Sequence, residues 1–325
     1  MHVLVAGGAG CIGSVTVDQL VDAVHDVTVL DKLVAGHKGA LNPAAELVQA
    51  DVRDEEQLNR LFASHNFHAV INYSGYIIAP ESVRQPGRYF ANNIGGAIAL
   101  LNAMVTYGVT RFVFSSSAAV YGEPEAIPIS EDHPLRPINP YGETKAVVER
   151  MLPWYENQFG LRAVSLRYFN AAGATGRLGE DHRPETHLVP NVLQVALGQR
   201  GAISLFGSDY PTRDGTCVRD YIHVSDLAAA HLLALDKTET GSAAYNLGNG
   251  LGFTNREVID AARRVTGEPI PVSEEPRRPG DPAELIAAHD KIRAELGWQP
   301  QYADIEEIID TAWRWHRDHP KVYPA

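Results

Sequence analysis

The sequence has few cysteines, fewer basic than acidic residues, and no apolar run long enough to cross a bilayer. Cys11 and Cys217 are the only cysteines, which excludes a disulfide framework and favours a reducing cytoplasm. The 28 basic residues are outnumbered by 40 acidic ones, and the formal net charge of −12 argues against a nucleic-acid partner. With 45% hydrophobic residues, the chain is expected to be a soluble globular protein with no membrane partner.

The histidines do not predict a metal site. There are 13 of them, and none falls in a ligand spacing such as His-Glu-x-x-His. Scattered histidines are more often surface or core residues than ligands, so no metal is expected.

A glycine-rich turn follows the first apolar segment. Residues 2–6 read HVLVA, and GGAGCIGS follows before a helical pattern begins. Glycines at positions 7, 10 and 13 allow the backbone to approach a pyrophosphate, whose charge the N-terminus of the next helix attracts. Strand, glycine turn and helix in this order predict a dinucleotide-binding site.

An acidic residue ends the second apolar segment, about twenty residues after the turn. Asp31 follows Val27–Leu30, where it can accept hydrogen bonds from both hydroxyls of an adenosine ribose. Its charge repels the 2′-phosphate of NADP, so NAD is the expected cofactor. Lys32 could compensate such a phosphate in part, which leaves tolerance of NADP open.

Apolar segments alternate with helical patterns through the first half of the chain. Strands are predicted at 47–50, 69–73, 112–115 and 163–166, and helices at 54–65, 86–107 and 142–159. This alternation predicts an α/β fold in which helices cover both faces of a parallel sheet. Ligands bind beyond the carboxyl ends of such strands, where this chain places polar residues and glycines.

The second half of the chain is richer in loops. Residues 171–190 lack periodicity and predict a long loop over the site, followed by short helices and strands without an obvious core of their own. We therefore expect residues 1–170 to form a nucleotide-binding domain completed by returning C-terminal segments. Residues 171–325 are expected to form a smaller lobe that caps the crevice.

Two arginines of this lobe are candidates for binding a diphosphate. Arg219 and Arg278 lie in segments rich in Gly, Pro and Asp, which predict loops. Each could clamp phosphate oxygens bidentately or could instead be a surface residue paired with Asp220 or Asp281. The local sequence does not decide between these two roles.

The segment from Phe114 to Lys145 contains the candidate catalytic residues. Tyr141 and Lys145 are four residues apart, so on a helix they share one face. An ammonium near a phenol lowers the phenol's pKa towards the range of a general base. Ser117 can hydrogen-bond the same substrate oxygen, so the three residues together predict acid/base catalysis on a hydroxyl.

These motifs resemble the extended short-chain dehydrogenase/reductase family, and within it the nucleotide-sugar epimerases. The resemblance is carried by GGAGCIGS, LDKLVAGH, FSSSAAVYGE, NPYGETK, RYFNAAG, FGSDYPTRDGTCVRDYIHVSDLAAAH and RRPGDPAELIA. It implies a Rossmann-like doubly wound parallel sheet with a smaller C-terminal substrate-binding lobe. It also implies interconversion of UDP-glucose and UDP-galactose through a 4-keto sugar, with NAD as the cofactor.

The resemblance implies a set of site residues, of which Ser117, Tyr141 and Lys145 are catalytic. The residues expected to contact NAD are Gly7, Gly10, Cys11, Ile12, Gly13, Asp31, Lys32, Asp51, Val52, Tyr73, Gly75, Asn92, Ser115, Tyr141, Lys145 and Tyr168. Those expected to hold the nucleotide-sugar are Ser117, Tyr141, Asn170, His187, Leu188, Phe206, Arg219, Arg278 and Asp281.

Some positions depart from the pattern of the family. Lys32, Val34 and Ile77 replace residues that contact the adenosine or the nicotinamide ribose, so weaker or more exchangeable NAD is expected. Leu285 has intermediate bulk where residue size sets acceptance of 2-acetamido sugars. A 4-epimerase of UDP-GlcNAc, UDP-glucuronate or a UDP-pentose is therefore an alternative, and a non-catalytic NAD sensor is a further one.

The predicted helices 86–107 and 142–159 carry apolar residues on more than one face. Ile98, Leu101, Met104, Val147, Val148, Met151 and Trp154 are the residues concerned. The equivalent pair forms a four-helix bundle between subunits in the family that the chain resembles, which implies a homodimer. Burial of these residues against the sheet alone is the alternative.

Overall fold

The computed structural model describes residues 1–278, 280–320 and 322–323. Pro279 of the RRPGD loop lies outside the described residues, as do Lys321 and the last two residues of the predicted second lobe.

The described chain alternates strands and helices. The strands are β1 (His2–Ala6), β2 (Asp26–Asp31), β3 (Glu46–Gln49), β4 (Ala69–Asn72), β5 (Arg111–Ser117), β6 (Arg162–Tyr168), β7 (Asn170–Ala172), β8 (Ile203–Phe206), β9 (Val218–His223), β10 (Ala243–Leu247), β11 (Gly252–Thr254), β12 (Val272–Glu275) and β13 (Glu284–Leu285). The helices are α1 (Cys11–Asp22), α2 (Glu55–Ser64), α3 (Ala79–Arg84), α4 (Pro86–Tyr89), α5 (Gly95–Thr106), α6 (Pro140–Phe159), α7 (Leu188–Ala196), α8 (Val224–Lys237), α9 (Asn255–Thr266), α10 (Asp290–Leu296) and α11 (Ile305–Asp318). The first six predicted strands are confirmed to within two residues at each end, and the predicted helix 86–107 is divided by a π-helical segment at Phe90–Ile94.

A parallel sheet in the order β10-β6-β5-β4-β1-β2-β3 forms the centre of the larger part of the molecule. Its strands are apolar along their length because helices cover both faces. The strand order reverses between β1 and β4, so the connections that follow these strands separate and leave a crevice at their carboxyl ends. This arrangement confirms the predicted doubly wound α/β fold.

The remaining strands belong to a smaller layer built mainly from the second half of the chain. Strand β9 pairs with β7, β11 and β13, and β8 pairs with β12. Apolar residues of α7, α9 and α11 pack against these strands in a separate hydrophobic cluster. The segment Val218–His223, predicted as part of a loop, is therefore a strand at the centre of this layer.

Asp220 joins three parts of this layer. Its carboxylate accepts hydrogen bonds from the backbone N–H groups of Asn249, Gly250 and Ala287 at 2.8, 3.0 and 3.0 Å. Burial of this side chain raises its pKa to about 7, and the three backbone hydrogen bonds offset part of that rise.

Among the described residues, every helix is too short or too polar to span a lipid bilayer.

Candidate active site

A cleft of about 540 Å³ lies beyond the carboxyl ends of the sheet strands. The predicted site residues in its wall are Gly7, Gly10, Cys11, Ile12, Gly13, Asp31, Lys32, Val52, Tyr73, Gly75, Asn92, Ser115, Ser117, Tyr141, Lys145, Tyr168, Asn170, His187 and Asp281. Five other predicted residues, all within the described ranges, lie outside this wall: Asp51, Leu188, Phe206, Arg219 and Arg278. The fold thus brings the predicted glycine turn and the predicted catalytic residues to one cleft.

The glycine turn has the geometry that a dinucleotide diphosphate requires. Gly7 has φ +80°, and a Cβ added to it would lie 2.7 Å from the backbone nitrogen of Ser74. A Cβ on Gly13 would lie 2.5 Å from the carbonyl oxygen of Gly7. Side chains are therefore excluded where the N-terminus of α1 faces the cleft, and the residues present fit a bound NAD.

Asp31 shapes the adenosine side of the cleft. Its carboxylate accepts hydrogen bonds from the backbone N–H groups of Ala9, at 3.1 Å, and Leu33, at 2.8 Å. Asp31 therefore connects the end of β2 to the glycine turn. Its carboxylate oxygens lie there in the wall of the cleft, where they can accept hydrogen bonds from a ribose.

Lys32 is held by neighbours rather than left free for a 2′-phosphate. Its Nζ donates to Asn92 at 2.9 Å and pairs with Asp51 at 3.4 Å. Asp51 also receives two bonds from Arg53, and these bonds hold the pKa of the carboxyl well below its usual range. Lys32 thus joins the ends of β2 and β3 to Asn92.

The start of α6 fixes the position of the catalytic pair. Asn139 caps the helix by accepting a hydrogen bond of 2.9 Å from the N–H of Gly142, and Pro140 occupies the first turn. A Cβ on Gly142 would lie 2.3 Å from the carbonyl oxygen of Ala119, so the helix rests directly on the turn after β5. Ser82, which the sequence did not single out, receives the N–H of Tyr141 at 3.1 Å.

Lys145 and Tyr141 lie on one face of α6, as predicted. The Nζ of Lys145 donates to the carbonyl oxygen of Ser115 at 2.7 Å and lies 6.0 Å from the centre of the Tyr141 ring. Burial raises the pKa of Tyr141, and the hydroxyl of Ser117 offsets only part of this rise. Burial also lowers the pKa of Lys145 to about 8, despite the charge of Glu149.

Burial thus disfavours the phenolate, and the ammonium donates its hydrogen bond to the end of β5. The expectation that Lys145 lowers the pKa of the Tyr141 phenol stays a prediction.

A buried aromatic cluster that includes a histidine lies behind the cleft. Nδ1 of His231 lies 2.8 Å from the carbonyl oxygen of Leu227, and Nε2 contacts the hydroxyl of Tyr168. Burial lowers the pKa of His231 to about 3, so the ring is neutral. Its Nδ1–H then donates to the carbonyl oxygen of Leu227, and its Nε2 accepts from the hydroxyl of Tyr168. Tyr73 packs against the same ring in a tilted arrangement, with centroids 4.7 Å apart. His231 thus orients two aromatic residues of the cleft, a role that no spacing in the sequence indicated.

The two candidate arginines differ in their surroundings. Arg219 lies on strand β9, is buried, and forms an ion pair with Asp281 while also donating to the carbonyl oxygen of Val218 at 2.7 Å. The guanidinium of Arg278 stacks 3.7 Å from the centre of the Phe206 ring. The prediction of a loop at Arg219 is wrong, because β9 forms there, and its acidic partner is Asp281 rather than Asp220.

Four titratable side chains meet in the segment 180–187, which borders the cleft. Nδ1 of His187 lies 2.6 Å and Nδ1 of His182 lies 2.9 Å from one carboxylate oxygen of Glu180. Nδ1 of His187 also lies 3.1 Å from Glu185. Burial disfavours the protonated form of both histidines. The charge and hydrogen bonds of Glu180 outweigh this effect and raise the pKa of both.

Comparison with known proteins places this geometry in a family. The sequence profile of the NAD dependent epimerase/dehydratase family matches residues 3–248. The chain is 51% identical to UDP-glucose 4-epimerase of Lacticaseibacillus casei, over 99% of both chains. It superposes with a TM-score of 0.95 on the crystal structure of UDP-glucose 4-epimerase from Bifidobacterium longum in complex with NAD+ and UDP, with 37% identity over 99% of this chain and 100% of the other.

A second solved structure agrees with the first. The UDP-glucose 4-epimerase from Brucella ovis in complex with NAD superposes with a TM-score of 0.93, with 42% identity over 96% of this chain and 97% of the other. These similarities confirm the resemblance that the motifs indicated. The chain belongs to the NAD-dependent epimerase/dehydratase family.

Proposed function

We propose that this protein interconverts UDP-glucose and UDP-galactose by inverting C4 of the sugar, with NAD as its cofactor. The observation that supports this most directly is the arrangement of Ser117, Tyr141 and Lys145 in the wall that also holds the glycine turn. Similarity to enzymes of this activity extends over nearly the full chain.

Tyr141 acts as the acid/base group. It accepts the proton of the sugar 4-hydroxyl, and it returns a proton to the same oxygen after the 4-keto sugar has rotated to expose the other face of C4. Ser117 lies beside it at the end of β5, where its hydroxyl can hydrogen-bond the same sugar oxygen. Bound NAD would supply the hydride acceptor and donor for C4, and its positive charge would lower the pKa of a nearby phenol.

Lys145 supports this chemistry from beneath the cleft. Its ammonium is buried and fixed to the end of β5 by the carbonyl oxygen of Ser115. A cation held there favours the phenolate and can donate to the ribose of the bound cofactor. The charge matters more than the shape of the side chain for this role.

The second layer supplies groups for the UDP part of the substrate. Asn170 and Asp281 border the cleft, and Arg278 stacks on Phe206 at the edge of this layer. Arg219 is buried on β9 and paired with Asp281, so a bound diphosphate would either replace Asp281 as its partner or join the pair. A diphosphate anchored at one end allows the sugar to turn without leaving the site.

An epimerisation assay with several UDP-sugars tests this proposal. The protein is incubated with UDP-glucose, UDP-galactose and their 2-acetamido forms, with and without added NAD, and NMR measures the epimer ratio. Turnover of UDP-glucose is expected, and turnover confined to another UDP-sugar would favour the alternative epimerases. Absence of turnover for every UDP-sugar with NAD present would refute the proposal.

A substitution of Tyr141 distinguishes the proposed enzyme from the alternative of a non-catalytic NAD sensor. Tyr141→Phe is expected to reduce kcat by about 10²–10⁴ while NAD binding persists. Tyr107→Phe is the matched control, since Tyr107 is 40% exposed and lies at the end of α5. Full activity in Tyr141→Phe would remove Tyr141 from the mechanism.

We also propose that the protein is a homodimer formed through α5 and α6. Leu101, Met104 and Val148 are buried in the core, so they do not serve a subunit interface. Trp154 is 75% exposed, and Ile98 is 37% exposed on the neighbouring helix. An exposed tryptophan and an exposed isoleucine on two helices in contact suit an interface better than solvent.

Light scattering coupled to size exclusion tests the dimer. Trp154→Glu is expected to give a monomer, whereas Leu251→Glu, at an exposed apolar position of the other layer, should leave the dimer intact. A monomeric parent protein would refute the proposal.

The cytoplasmic location expected from the sequence stays a prediction. Its support is that Cys11 and Cys217 are both free thiols, as a reducing compartment would keep them.

A further inference from the structure

We propose that Glu180, His182, Glu185 and His187 bind a divalent transition-metal ion, with Zn²⁺ the best fit. Each offers one ligand atom, and the four atoms lie within 4.8 Å of one another. The sequence predicted no metal because its histidine spacings match no helical ligand pattern. In an irregular segment, the number of residues between two histidines does not determine how far apart their side chains lie. Only the folded chain shows that these four side chains are close together.

The separations between the ligand atoms suit a small ion. Nδ1 of His187 and Nδ1 of His182 lie 2.6 and 2.9 Å from one oxygen of Glu180, and 3.1 and 3.8 Å from the two different oxygens of Glu185. Four ligands at about 2.0–2.2 Å from a tetrahedral ion would be roughly 3.3–3.6 Å apart. The four candidate ligand atoms all lie within 4.8 Å of one another, so closing them around an ion requires shifts of roughly 1 Å.

The ligand types select the metal. Imidazole nitrogens suit zinc and its neighbours in the first transition series, whereas Mg²⁺ and Ca²⁺ prefer six or more oxygen ligands. Two nitrogens and two carboxylate oxygens therefore favour Zn²⁺. Four protein ligands leave no open position for water or substrate, which is typical of a structural site rather than a catalytic one.

The segment is already arranged to present these side chains. One oxygen of Glu185 accepts backbone N–H bonds from Thr186 at 2.7 Å and from His187 at 2.8 Å, which fixes the carboxylate. Glu185 is only 3% exposed and Glu180 only 10%. A metal ligand oriented by a second hydrogen bond is typical of built sites.

The start of the segment is anchored to the C-terminal part of the chain. The hydroxyl of Tyr323 accepts the N–H of Gly179 at 3.0 Å and donates to the carbonyl oxygen of the same residue at 2.8 Å. Trp315 donates to the carbonyl oxygen of Arg177 at 3.2 Å, and the segment ends where α7 begins at Leu188. Little ordering is needed for the ligands to close around an ion.

The position of the cluster connects the metal to the cofactor. Glu180 and His187 belong to the wall of the cleft, as does Cys11 at the start of α1. Metal binding would displace the imidazole protons and fix these side chains beside the glycine turn, which lowers the ordering cost of binding NAD there. Metal binding should therefore tighten NAD as well as stiffen the cleft wall. This consequence depends on NAD as the cofactor, whereas the metal site itself does not.

The first test measures binding of Zn²⁺ to protein stripped with a chelator. Calorimetry is expected to show one Zn²⁺ per chain, with no saturable binding of Mg²⁺ or Ca²⁺. Co²⁺ should give the intense visible absorption of a four-coordinate site. These measurements need no variant. A stoichiometry below one, or a Co²⁺ spectrum typical of six-coordinate aquated metal, would refute the site.

Variants then assign the ligands. His182→Ala and Glu180→Gln should each weaken Zn²⁺ binding at least roughly tenfold. His68→Ala and Glu307→Gln, at exposed positions, should bind Zn²⁺ as the parent does. Unchanged binding in both cluster variants would assign the metal to other groups, such as the thiols, and refute the proposal.

A final measurement separates this inference from the proposed enzymatic function. NAD titrations with and without Zn²⁺ should give a several-fold lower Kd with the metal. Loss of epimerase activity with Zn²⁺ binding intact would refute the function and leave the metal site standing. Equal NAD affinity in both titrations would refute the link between metal and cofactor.

Discussion

Lys145 donates a hydrogen bond of 2.7 Å to the carbonyl oxygen of Ser115, and this bond fixes a buried ammonium at the end of the fifth strand. Burial lowers the pKa of that ammonium to about 8, so its charge is lost in mildly alkaline solution. We expect kcat to fall as the pH rises through about 8. The pH profile of Lys145→Met should lack this alkaline limb, and a limb of the same midpoint in that variant would contradict the assignment.

The same pKa predicts how stability depends on pH. The folded protein holds the Lys145 proton less tightly than the unfolded chain, whose lysine titrates near pH 10.5. Between pH 8 and 10.5 the unfolded chain binds more protons, so the free energy of unfolding of cofactor-stripped protein rises with pH, by about 3 kcal/mol from this group. Denaturant unfolding of the parent and of Lys145→Met should diverge in this window, and parallel curves would refute it.

Asp220→Asn should destabilise the protein. The carboxylate of Asp220 accepts three backbone N–H bonds, and an amide would turn its own NH₂ towards one of these donors. The expected loss is about 2 kcal/mol of unfolding free energy. Urea unfolding measures it, with Asp236→Asn, at an exposed position of α8, as the control. Equal losses in the two variants would contradict the role of the buried carboxylate.

Gly13→Ala should abolish tight NAD binding, because its Cβ would lie 2.5 Å from the carbonyl oxygen of Gly7 in the turn. Gly95→Ala is the control, since its Cβ meets nothing within 4 Å and alanine favours the helix by about 1 kcal/mol. Fluorescence titration with NAD and thermal unfolding check both variants. Parent-like NAD affinity in Gly13→Ala would show that the turn does not hold the diphosphate.

Ile77→Lys should tighten NAD binding. Ile77 borders the cleft, is 39% exposed, and is one of the positions that depart from the family's pattern of cofactor contacts. One charged hydrogen bond should lower the Kd by about tenfold. The parent should correspondingly release NAD on dialysis, and retention of a full complement would contradict the expected weak binding. Ile127→Lys, at an equally exposed position away from the cleft wall, is the control.

The sequence predicted the sheet and the cleft well because apolar strands, a glycine turn and strand-end polar residues are local patterns. It failed at Val218–His223, where Gly, Asp and Arg suggested a loop but pairing with β7, β11 and β13 makes a strand. It could not give the burial of Tyr141 or the hydrogen bond from Lys145 to Ser115, since both depend on the fold. The convergence of Glu180 with His187 was hidden for the same reason.

Strand β10 has a consequence for synthesis of the chain. It pairs with β6, with Leu247 opposite Tyr168, although some seventy residues of the second layer separate the two strands. While the ribosome makes those residues, β6 presents an unpaired apolar edge to the surrounding solution. A fragment that ends at residue 170 would keep that edge permanently. We therefore expect the nascent chain to depend on chaperones, and the isolated fragment to aggregate instead of binding NAD.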